Sequence, residues 1–119
     1  MELKLNIYKS RKSKEIEKTL TTNDFELSTG VCEDVIKIIN IDLFTGADAL
    51  SEESQLIELF KIVSNSFDVF KEMLMEVFED LTEEDISRTK LSEVVGVVYK
   101  IIRFALSNLF SSFGSNSKN

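Results

Sequence analysis

From Ser54 to Leu81 the apolar residues return every three or four positions: Leu56, Leu59, Phe60, Val63, Phe67, Phe70, Leu74, Val77, Phe78 and Leu81. That is the period of one helix face. The opposite face reads Glu58, Lys61, Asn65, Asp68, Glu72, Glu76 and Glu79, polar or charged throughout. Read as one helix, the stretch runs about 40 Å at about 1.5 Å per residue. In a chain of 119 residues every other element then has to pack along it.

The length is that of a single domain. It buries about two thirds of its unfolded surface, enough for a core without metal or disulfide staples. One cysteine excludes an intrachain disulfide framework and fits a reducing cytosol. There is no histidine, which removes the commonest general base and zinc ligand. The net charge is −7, unevenly spread. Residues 1–18 hold six basic groups (Lys4, Lys9, Arg11, Lys12, Lys14, Lys18) against three acidic ones (Glu2, Glu15, Glu17), a net +3 that leaves −10 on the rest. An acidic body speaks against nucleic acid as the main partner, because phosphate binding is dominated by positive charge. The basic cluster Lys9 to Lys14 reads as a solvated hairpin loop.

Leu3, Leu5 and Ile7 alternate with Glu2, Lys4 and Asn6, the pattern of a half-buried strand. After a polar turn, Ile16, Lys18 and Leu20 alternate with Glu17, Thr19 and Thr21. The pair is a β-hairpin, and a lone hairpin is marginal in water. It must therefore lay Leu3, Leu5, Ile7, Ile16 and Leu20 onto helices. A first helix is expected from about Leu27 to Ile41, with Ser28 or Thr29 as cap and Val31, Val35, Ile38 and Ile39 inward. Cys32 falls in its first turns as a small buried hydrophobe.

Residues 40–54 form the longest irregular stretch. Their acidic groups hint at a calcium loop, but the register fails: five residues past Asp42 stands Ala47, where such a loop needs glycine. Thr82 caps a short helix that ends near Arg88, with Glu83, Glu84 and Asp85 in its first turn. Those three carboxylates point around the axis, and capping explains them without catalysis or metal. The last helix is expected from Leu91 to about Phe110 on a core line of Leu91, Val95, Val98, Ile102, Ala105 and Leu109. Val94 to Phe110 is apolar, yet Lys100 and Arg103 interrupt it, each costing about 2.5–3.5 kcal/mol at a bilayer centre. It also falls short of the about 20 residues of a span, so it reads as a buried helix of a soluble protein. Residues 111–119 are expected to be a disordered tail behind a single domain of residues 1–110. The expected fold is α+β, mainly α: an N-terminal β-hairpin packed on a small bundle of about four helices.

No enzyme constellation is present: no Ser–His or Cys–His pair, and glycines scattered at 30, 46, 96 and 114 instead of a phosphate loop. Neither a cofactor nor a metal is expected. What stands out is apolar excess. Val97, Ile101 and Phe104 form an edge beside the core line of the last helix. Met73 and Met75 add soft, adaptable surface of the kind found at promiscuous binding faces. The excess has two readings: these residues meet the hairpin and the first helix inside one domain, or they form an exposed apolar patch, in which case these five are the expected partner-binding residues.

The run Phe78-Glu79-Asp80-Leu81-Thr82-Glu83-Glu84-Asp85-Ile86-Ser87-Arg88-Thr89-Lys90-Leu91-Ser92-Glu93-Val94-Val95, with Phe104-Ala105-Leu106-Ser107 further on, resembles the tail assembly chaperones of long-tailed phages and prophages of Gram-positive bacteria. So does the front, a basic strand pair followed by Thr29-Gly30-Val31-Cys32-Glu33-Asp34. The resemblance implies a protein of the host cytoplasm, absent from the mature virion. It implies that the protein binds the tape-measure protein, keeps it soluble and helps recruit tail-tube subunits. A longer frameshifted form is common in the family. The other reading of the residues is a generic helical adaptor or regulator, with self-association open.

Overall fold

The structure, a computed structural model, describes the backbone over residues 2–117 and the side chains over 2–108. The N-terminal alternation becomes β1 (Leu3–Tyr8), paired antiparallel with β2 (Ile16–Thr22). Leu3, Leu5 and Ile7 are buried, as their alternation requires. The pairing slips between Ile7 and Tyr8: Ile7 faces Lys18, and Tyr8 faces Ile16. The extra residue, Glu17, is a bulge, and a bulge re-aims the side chains around it. Ile16 is consequently 47% exposed and does not join the core, contrary to its expected place beside Leu20.

Helix α1 (Thr29–Ile38) is capped by the Ser28 hydroxyl, which accepts a bond from the Val31 amide. Val31, Val35 and Ile39 turn inward. A short 3-10 turn (Ile41–Leu43) follows, then a loop in which Gly46 takes a φ of 88°, open to glycine without strain. The loop still contributes Phe44 to the core, fully buried, with its carbonyl accepting a bond from Arg103.

The long central pattern is two helices, not one. Helix α2 (Glu52–Asn65) ends at Ser66, whose φ of −133° and ψ of 43° are far from helical, and α3 (Phe67–Val77) begins directly after. Ser64, Asn65 and Ser66 explain the break, because short polar side chains compete for the backbone and disfavour a helix interior. Leu59, Val63, Phe70, Leu74, Val77, Phe78 and Leu81 are buried as the period predicts, but Phe60 is 47% exposed. Helix α4 (Glu83–Ser87) carries a complete capping box, with Thr82 and Asp85 bonding each other's backbone amides.

Helix α5 (Leu91–Ser117) starts where the sequence places it but runs past Phe110. With no proline in the chain, nothing sterically forces a stop there. The expected disordered tail over 111–119 thus begins within helix, and Lys118 and Asn119 lie outside the described residues. Helix α5 packs on α2 and on β1, while α1 packs on α3. The fold is α+β, mainly α, with a hairpin at one end of the chain and five helices among the described residues. Its extents of 52 × 27 × 22 Å make it elongated.

Candidate partner-binding surface

The run from Thr82 to Glu93 is a joint that clamps the hairpin to α4 and α5. Asp85 is buried and accepts at one oxygen from the Arg88 guanidinium at 3.0 Å; its other oxygen lies 3.2 Å from Lys18. Arg88 also donates to Glu17 at 2.9 Å and to the Tyr8 carbonyl at 3.0 Å, while its own carbonyl accepts from the Tyr8 amide. The bulge residue and β1 are thereby held to α4. Further on, the Lys90 ammonium sits 4.7 Å from the centre of the Tyr8 ring, and Glu93 accepts from Asn6 and from the Tyr8 hydroxyl. Burial alone would raise the Asp85 carboxyl, but the bonds from Thr82 and Lys18 outweigh it and hold the group below the usual carboxylate range. The bond to Glu93, with burial and the carboxylate's charge, pushes the Tyr8 phenol up. Among the described residues no group of acidic or thiol side chains is arranged to hold a metal ion.

Capping makes Thr82 and Asp85 legible in the sequence; the long-range partners of the joint, Lys18 on Asp85, Tyr8 on Arg88 and Glu93, and Asn6 on Glu93, carry no local signal. The same holds for Glu76. It sits on the polar face of the central pattern, yet its carboxylate accepts from the Ser28 amide at 2.8 Å and from the Ser28 hydroxyl at 2.6 Å. That contact ties the start of α1 to α3.

Tying α1 down leaves an apolar cleft of about 250 Å³ between α1 and α5. Leu27, Cys32, Val35, Ile36, Ile39 and Ile41 line one side; Met73, Ile101, Ile102, Ala105 and Leu106 line the other. Ile36 stands at its rim, 53% exposed. Cys32 is half-buried in the wall, not fully inside as expected. The cleft is smaller than the about 300–1,000 Å³ of typical small-molecule sites. Its shape and lining suit one or two apolar side chains offered by a partner helix.

The five residues expected to bind a partner are not one surface. Met73 and Ile101 are buried, and they line the floor of this cleft. Val97 is 7% exposed and belongs to the core, away from any edge. Phe104 is half-buried with its ring centre 5.3 Å from that of Phe25. Met75 is 37% exposed on the other side of α3 from Met73, as residues two apart on a helix must be. The apolar edge of α5 is not free, because α5 packs on α2 and β1 and Phe25 lies against Phe104. Period alone did not show which neighbour would cover it. Ile36, the exposed residue at the cleft, was missed because it lies outside the inward line of α1.

No helix among the described residues is long and apolar enough to cross a membrane. No family model matches the chain, and no characterised protein or solved structure matches it.

Proposed function

We propose that this protein is a phage tail assembly chaperone: it binds the tape-measure protein in the host cytoplasm, keeps it soluble and helps recruit tail-tube subunits. The observation that supports this reading is the apolar cleft between α1 and α5, opening past Ile36 on a protein of net charge −7. A tape-measure protein is a long, largely helical chain whose apolar stripes lack cover before assembly. The cleft takes one or two side chains of such a stripe, while the acidic body keeps the pair in solution. The sequence resemblance of residues 78–95 supports the same reading.

The test is co-expression with the tape-measure protein of the same phage or prophage. Soluble tape-measure protein should depend on this chain and co-purify with it. Ile36→Asp places a charge at the rim without touching the core and should reduce co-purification at least about tenfold, the cost of desolvating one charge at an apolar contact. The single cysteine gives an independent readout, since Cys32 lines the same cleft. Its alkylation by iodoacetamide should slow when the tape-measure protein is bound. If solubility is unchanged without this chain, or if Cys32 reacts equally fast in the complex, the assignment is wrong.

A further inference from the structure

A second cleft, about 700 Å³, lies on the other side of the segment before α1. It is lined by Thr19–Thr22 of β2, by residues 24–26, and by Glu76–Asp80 at the end of α3. Successive strand side chains point to opposite faces of a sheet. A cleft lined by four consecutive strand residues therefore follows the edge of the strand, not one of its faces. That edge is open. The sheet has two strands, and β2 uses only its inner side to pair with β1. Among the described residues no backbone bond joins β2 to any other element. The outer edge of β1, by contrast, is capped at Tyr8 by Arg88.

The cleft also carries charge of one sign. Asp24, Glu26, Glu79 and Asp80 line it, and no lysine or arginine does. All four are exposed, and none takes part in an ion pair among the described residues. Glu76 is the exception, already bound to Ser28.

We infer that the outer edge of β2 is a docking site for an extended, lysine- or arginine-rich segment of a partner protein, which adds as a third strand. Unpaired strand edges invite this pairing, and native proteins usually blunt them with positive charge, proline or a covering element. Here the edge is uncovered and flanked by free carboxylates, so a basic strand is drawn in and a neutral or acidic one is not. Main-chain bonds to Thr19–Thr22 supply the pairing, and the carboxylates select the sequence. This site is separate from the apolar cleft and does not rest on the chaperone reading.

The probe is a blocked peptide of four Lys-Val repeats, titrated into the full chain by calorimetry. It should bind, and a Glu-Val peptide of the same length should not. Replacing Glu79 and Asp80 together by lysine, at exposed positions outside the core, should weaken binding at least about tenfold. The same Lys-Val peptide methylated at every backbone nitrogen keeps its charge but cannot pair with a strand, and should not bind. Amide exchange in the unmodified protein should slow within Thr19–Thr22 when the unmethylated peptide is present. Equal binding of the methylated peptide, unchanged affinity in the charge-reversed variant, or no protection of residues 19–22 would each overturn the proposal. So would concentration-dependent dimerisation of the free chain that protects the same amides, since a second copy would then be the occupant.

Discussion

Asp85 does two jobs with one carboxylate. It closes the capping box of α4 through the Thr82 amide, and it holds Lys18 and Arg88 at the bulge of the hairpin. These bonds favour the charged form, so the folded-state value lies below that of the unfolded chain, which is about 3.9. Between the two values the unfolded chain binds more protons, so stability rises with pH across that window. The contribution is complete above the unfolded value and is lost as pH falls through the folded one. Asp85→Asn should cost about 2 kcal/mol near pH 6, the scale of a charge-assisted hydrogen bond. The gap to wild type should narrow once the pH drops below about 4. Urea melts at pH 6 and pH 3 measure both gaps; equal gaps would mean that the charge of Asp85 is not what matters. The sequence shows this residue as a helix-start carboxylate and nothing more. Its long-range partner Lys18 lies 67 positions away, and Arg88, three positions on, carries the joint further to Tyr8, 80 positions from Arg88.

At the scale of elements, periodicity located nearly every helix and strand, and it failed where an interruption carries no strong punctuation. Ser64-Asn65-Ser66 breaks the central helix without glycine or proline, so the three-and-four spacing ran on through it. Phe44 is in the core from a loop, where there is no period to read. The bulge at Glu17 is the third case, because strict alternation cannot reveal one extra residue. The bulge has a measurable consequence. Leu5, 1% exposed, should lose about 2–5 kcal/mol on truncation to alanine, the range for a core leucine. Ile16→Ala should stay within about 0.5 kcal/mol of wild type, as a surface change does. An unbulged hairpin would bury Ile16 beside Leu20, and the two truncations would then cost comparable amounts. Denaturant midpoints of the two variants decide between these registers.

The whole molecule is an elongated body with two unlike clefts separated by a single wall. The wall is residues 25–28, held by the tilted contact of the Phe25 and Phe104 rings and by Glu76 on Ser28. On one side the lining is aliphatic, around Ile36 and Ile101; on the other it is rich in carboxylates, Asp24 and Glu79 among them. On the two proposals above, the clefts would hold two partners of different chemistry, one apolar and one basic. Salt separates the two contacts. Raising NaCl from about 0.1 M to about 1 M shortens the screening length from about 10 Å to about 3 Å. The carboxylates of the polar cleft are exposed, so attraction of a basic strand there falls with salt. Burial of an apolar stripe against Ile36 and Ile101 involves no charge and is not weakened by it. Co-purification of the tape-measure protein should accordingly survive 1 M NaCl, while binding of the Lys-Val peptide should drop at least about tenfold over the same range. If both contacts fade together, charge holds both partners and the aliphatic cleft is not where the tape-measure protein binds.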